Sequence, residues 1–340
     1  MTFTDLLPAG TVASDGQFPA MQDAAAEMRA AHDATVLVPL SHLSRLHADG
    51  EDAAAFLHNL LTQDVKGLPA DTVRLAGFCS AKGRLLAAFT IWREGSAVVV
   101  QLPTALAEPM RRKLSMYVLR SKVTLSDSSA ARPALGLAGG NAVAALGAAG
   151  LPVPADVMTA AHADDVTVLR LAGDRFEIVL PAERLASVWS ALSAHATPAG
   201  TPVWRRFDIR DGLVSVWPET QESFVPQMVN FELTGGVNFK KGCYPGQEIV
   251  ARTQYLGKLK RRMYRAQADC PPPPAGTPVY GADTNDQACG EVVDAVAHPD
   301  GGCELLAVIQ MSSTTAGAVK LASPGGAALT LLPLPYTLGE

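Results

Sequence analysis

At 340 residues the chain is too long for most single cores, and the usual domain size predicts two or three domains. With 48% hydrophobic and 18% charged residues it has ample apolar surface to bury, which excludes wholesale disorder. The formal net charge of −5, an opening stretch without a basic region and apolar core, and the absence of any run near about 20 apolar residues predict a cytoplasmic protein with no membrane association.

Five cysteines, at 79, 243, 270, 289 and 303, are an odd number spread along the chain. No two form CxxC and no histidine stands beside them at zinc-ligand spacing, so neither a disulfide framework nor a metal site is expected.

Residues 50–64, GEDAAAFLHNLLTQD, carry acids in the first turn and apolar residues at 56, 57, 60 and 61, which predicts an amphipathic helix. Two strands follow within 74–92, joined near Lys82 and Gly83, and AVVVQL at 97–102 predicts a short buried strand ended by Pro103. A strand, Leu-Pro and helix pattern at 98–114 recurs at 176–192, a degenerate echo of a duplicated unit. Pro109 inside the first helix pattern predicts a later start for that helix than for its counterpart. The short turn AGDR at 172–175 favours local strand pairing and hence α+β rather than parallel α/β architecture.

CPPPPAGTP from Cys270 onward reads as a stiff connector, because four consecutive prolines fit neither a helix interior nor a central strand. Short β-rich runs beyond it predict a small C-terminal barrel or sandwich. The expected division is 1–130, 131–268 and 269–340.

Charge is concentrated in one place: residues 240–265 hold eight of the 28 Lys and Arg but one of the 33 acids, a local +7 against −12 elsewhere. Such a run is either a solvated face or an anion site. It begins with KKGCYPGQEIVAR at 240–252. Gly242 and Gly246 permit a tight backbone around Pro245, and Gln247 and Glu248 open a helix that Cys243 precedes. A helix N-terminus together with Lys240, Lys241 and Arg252 would favour thiolate over thiol. An inert cysteine packed in a Gly-rich turn fits the same residues. No histidine lies near in sequence, so a Cys/His pair would depend on the fold, and there is neither a GxxxxGK[ST] loop nor a GxGxxG after a strand.

The stretch Lys241, Gly242, Cys243, Tyr244, then Gly246, Gln247, Glu248 and finally Ala251 and Arg252 resembles the signature of the YgfZ family, tetrahydrofolate-binding proteins related to the T-protein (aminomethyltransferase) of the glycine cleavage system. FVPQMVN at 224–230, with Gln227 and Asn230, is similar to the family's Pro-Gln segment. FLHNLLTQDV and CSAKGRLLAAF resemble its first helix and its hairpin, and the similarity runs over about residues 36–320. The resemblance implies the T-protein fold: two ferredoxin-like α+β portions around a central cleft, with a C-terminal barrel. It also implies tetrahydrofolate as cofactor, with Lys241, Gly242, Tyr244, Gly246, Gln247, Glu248, Arg252, Gln227 and Asn230 at its site and Cys243 as the key thiol.

In this resemblance the T-protein's acidic pair falls on Ala87 and Ala88, and its pterin-binding Glu on Arg210 or Asp211. Alanine cannot position the folate nitrogen or move its proton, so aminomethyl transfer is not the leading expectation. That expectation is a folate-binding accessory protein that supports assembly or repair of iron-sulfur enzymes, with those enzymes or assembly proteins as partners. A T-protein-type transferase and a folate sensor are the alternatives. The cations of 240–265 suit a folate glutamate tail, and nucleic acid ranks last among partners because few aromatics interleave them.

Overall fold

The computed structural model describes residues 3–5, 17–21 and 23–338, an α+β chain of several mostly antiparallel sheets. It divides into two units: Met1–Phe56 with Val65–Arg74 and Thr90–Trp204, and Leu57–Asp64 with Leu75–Phe89 and Arg205–Glu340. No helix among the described residues is long and apolar enough to cross a membrane.

The first unit contains a six-stranded sheet in the order Thr197–Pro198, Val36–Pro39, Ala134–Ala138, Arg175–Val179, Val166–Leu171, Thr159–Ala163. Its hairpin between Leu171 and Arg175 turns through three residues, of which Gly173 and Asp174 have positive φ. Leu37, Leu137, Phe176 and Ile178 meet Leu185, Trp189 and Leu192 of the helix Leu185–Ser193 in one buried core. Strand Leu43–Asp49 pairs with Ala97–Pro103 on one side and Thr124–Asp127 on the other. Gln101 donates to Glu177 at 2.8 Å, which ties the buried strand Ala97–Pro103 to Arg175–Val179 and gives that buried carboxylate a partner.

Both strand-helix echoes are present, but the helix containing Pro109 starts earlier than expected. It runs Thr104–Ser115 directly after Pro103, whereas its counterpart passes through a short 3₁₀ turn, Ala182–Arg184, before the helix Leu185–Ser193. The helix holds Pro109 because Leu106, Ala107, Met110 and Leu114 bury one face, and that packing offsets the missing N–H.

The second unit ends in a curled six-stranded sheet ordered Lys320–Leu321, Pro278–Tyr280, Ala288–Ala297, Cys303–Gln310, Arg261–Ala268, Thr330–Leu332. Its core holds Val279, Val292, Leu305, Ala307 and Ile309. The edge at Lys320 also bonds residues 327–329, which lead into the opposite edge strand, so the two edges are drawn together into a half-barrel. One expectation is corrected here. Arg261–Ala268 pairs along its whole length with Cys303–Gln310, so the sheet begins before the four prolines instead of after them. Proline terminates a strand but does not decide which sheet owns the strand before it. Glu304, fully buried, holds Arg206 at 3.0 Å and Arg265 at 2.5 Å, which fixes the helix Thr201–Arg210 to this sheet.

Candidate functional site

The motif loop lies in the second unit and is built from three sequence-distant pieces. The expected helix over 50–64 is in fact confined to Ala53–His58, because the chain then turns to pair with strand Arg74–Cys79. Thr62 N–H donates to the Gly77 carbonyl at 2.8 Å, its hydroxyl accepts from Gly77 N–H at 2.7 Å, and that hydroxyl donates to the Gly236 carbonyl at 2.6 Å. Gln63 adds a bond to the Gly235 carbonyl at 2.7 Å. The segment leading to the motif is thereby fixed to residues some 170 positions away.

The hairpin turn of CSAKGR packs directly on the motif. Gly246 caps the helix Gln247–Tyr255 with φ of 77°, and a Cβ there would lie 2.4 Å from the Ser80 carbonyl oxygen and 2.6 Å from Gly83 Cα. Both the left-handed backbone and the close approach require glycine. At Gly83, with φ of 68°, a Cβ would lie 2.8 Å from Ile249 Cβ. Arg84 fastens the hairpin by donating to the carbonyls of Glu222 at 3.1 Å and Ser223 at 2.5 Å.

Lys241 is half-buried. Its ammonium donates to the backbone carbonyls of His58 and Leu61, the latter at 2.5 Å, and lies 5.0 Å from the Tyr244 ring centroid. Burial lowers its pKa to about 8, while Asp64 and Cys243 act as charges that pull it back up. Tyr244 is buried, and its phenol is pushed upward by desolvation and by nearby Cys79. Cys79 itself is buried and pushed up to about 12, so the hairpin thiol is an inert packing group. Cys243, by contrast, is exposed.

The fold also supplies a histidine that sequence reasoning did not nominate. A Cβ on Gly242 would stand 3.8 Å from His58 Nε2, and His58 Nδ1 lies 3.0 Å from Asp64 Oδ1. Lys241, Cys243, His58 and Asp64 thus form one neighbourhood. His58 was part of FLHNLLTQD, but nothing in the sequence spacing joined it to a loop 183 residues on.

Of the other expected residues, Gln247 opens the helix and is half-buried, while Gly242, Glu248 and Arg252 are exposed. Gln227 and Asn230 each bond backbone carbonyls through their side-chain amides. Gln227 is buried and donates to the Val250 carbonyl at 2.8 Å, holding the motif helix. Asn230, fully buried with φ of 57°, donates to the Met263 carbonyl at 2.8 Å and accepts from Arg262 at 3.3 Å. The Gln227 amide thus ties its segment to the motif helix, and the Asn230 amide ties it to the C-terminal sheet. Arg262 also pairs with Glu232. Lys240, Arg252, Lys258 and Lys260 remain exposed, and no ion pair holds them among the described residues.

Ala87 and Ala88 are buried in strand Leu85–Glu94. Neither side chain can accept a proton, whatever lies nearby.

Residues 8–201 match the family model described as "GCVT N-terminal domain". The chain is 28% identical over 313 residues to "tRNA-modifying protein YgfZ" of Sodalis glossinidius, covering 91% of this chain and 95% of that protein. It is 30% identical over 304 residues to the protein of the same name from Vibrio vulnificus, covering 88% and 92%. In fold it is similar to the glycine cleavage system aminomethyltransferase T of Bartonella henselae, with a TM-score of 0.74, 18% identity, and coverage of 89% of this chain and 86% of that one. The chain belongs to the YgfZ family, within the proteins that carry the GCVT N-terminal domain.

Proposed function

We propose that this chain is a reduced-folate-binding accessory protein for iron-sulfur enzymes, in which Cys243 is the working thiol. The observation that carries the reading is the contrast among the thiols. Among the cysteines only Cys243 is exposed, on a loop clamped by the Lys241 carbonyl bonds, the Gly246 and Gly83 contact and the Gln227 bond to Val250. Rigid support beneath one exposed nucleophile is an arrangement for chemistry rather than for packing. Lys241, with His58 and Asp64, supplies charge and hydrogen-bonding groups around it.

Tetrahydrofolate suits the donor set at one end. Arg252, Lys258 and Lys260, together with Lys240, are cations without ion-pair partners among the described residues, and they fit the carboxylates of a folate glutamate tail. A bound reduced folate would supply a one-carbon carrier. The alanines at 87 and 88 argue against aminomethyl transfer onto it.

The relatives' printed name connects them with tRNA modification. A net-acidic chain fits that connection better by sustaining an iron-sulfur enzyme that modifies tRNA than by holding tRNA itself. Calorimetric titration with tetrahydrofolate, at low and raised salt, tests the folate premise. Saturable binding that weakens with salt, retained in Cys243→Ser and without turnover of an aminomethyl donor, is expected. Absence of binding in both proteins removes the premise, and turnover makes the chain a transferase.

A further inference from the structure

Two other thiols meet at the far end of the C-terminal sheet. Cys303 opens the strand Cys303–Gln310 and is buried, while Cys270 is half-exposed just beyond strand Arg261–Ala268, and their sulfurs are 3.9 Å apart. Ala268, two residues before Cys270, is the register partner of Cys303, so the end of the paired strands brings the two cysteines near each other. The four prolines that follow Cys270 stiffen its approach. An open cavity of about 330 Å³ reaches this point, lined by Cys303 with Gln267, Asp269, His298, Asp300 and Thr330. Bringing the sulfurs to bonding distance, about 2.05 Å, asks for a movement of about 2 Å, within the reach of side-chain rotation.

We propose that Cys270 and Cys303 form a reversible disulfide, a modification site separate from Cys243, with glutathione disulfide as the oxidant. The Cys270 thiolate attacks one sulfur of glutathione disulfide, whose S–S bond breaks and releases a glutathione thiolate. Cys303 then loses its proton and attacks Cys270 Sγ, the mixed disulfide breaks, and a second glutathione thiolate leaves. Two protein thiols are oxidised, one glutathione disulfide is reduced, and the two protons end on two glutathione molecules. Cys270 is the entry thiol because it is the more exposed, and because burial, with Cys270 adjacent, pushes the Cys303 thiol up to about 12. The bond would staple strand Arg261–Ala268, the strand whose Met263 carbonyl receives Asn230.

The test uses the full chain carrying Cys243→Ser, equilibrated in glutathione redox buffers, acid-quenched, alkylated and digested for mass spectrometry. A Cys270–Cys303 cross-linked peptide whose fraction follows the buffer potential is expected, with a melting temperature higher in oxidising than in reducing buffer. Cys303→Ala should convert Cys270 into a stable glutathione mixed disulfide, and Cys270→Ser should leave Cys303 reduced. The proposal is overturned if both thiols stay alkylatable in glutathione disulfide alone, or if Cys270 stops at the mixed disulfide while Cys303 is present.

Discussion

Gly246 and Gly83 face each other so closely that Gly83 Cα lies 2.6 Å from the place where a Gly246 side chain would begin. The contact explains why the hairpin CSAKGR and the loop KGCYPGQE, more than 160 residues apart, form one structure. Gly246→Ala would have to move the backbone of Ser80 and Gly83 while placing alanine at a φ of 77°. A loss of about 2–5 kcal/mol in urea unfolding is expected from strain and overpacking together. A loss below 0.5 kcal/mol would mean that the two turns do not touch.

Lys241 makes stability depend on alkaline pH. The unfolded chain keeps this lysine near 10.5 and the folded chain holds it at about 8, so between those values the unfolded state carries the extra proton. Stability therefore rises with pH across the window 8 to 10.5, as the buried cation is relieved of its charge. Relative to Lys241→Met, which cannot titrate, the wild type should gain about 1 kcal/mol between pH 7 and 9.5, after allowance for the solvent screening of a half-buried group. Urea unfolding of both proteins at the two pH values measures it, and an unchanged difference would contradict the assigned burial.

Glu304 is the buried anion that Arg206 and Arg265 share. Glu304→Gln removes the buried charge that both guanidinium groups share and should cost about 3–5 kcal/mol. Glu108→Gln, which breaks the exposed pairs to Arg111 and Arg112, should leave stability unchanged.

Local features of the site were legible in the sequence where neighbours in the chain determine them. The helix beginning at Gln247, the turn at Lys82 and Gly83, the strand ended at Pro103 and the α+β class all follow from periodicity and turn chemistry. His58 and Asp64 were not, because their approach to Lys241 is made by Thr62 and Gln63 threading between Gly77 and Gly235–Gly236, a set of long-range bonds with no periodic signal. Gln227 and Asn230 show the opposite effect. The resemblance marks them as site residues, and in the structure each donates to a backbone carbonyl; a polar side chain that holds a site in place leaves the same mark in sequence as one that touches a ligand. The strand Arg261–Ala268 was assigned to the wrong side of a boundary because its pairing partner begins 35 residues after it ends.

The role of Cys243 as a working thiol is tested most directly by the level of iron-sulfur-dependent tRNA modification in cells whose own copy is replaced by Cys243→Ser, with the purified variant shown to fold and to bind tetrahydrofolate. Loss of the modification with binding retained is the predicted result. Full modification by the variant would contradict it and leave Cys243 as a residue that only shapes the turn.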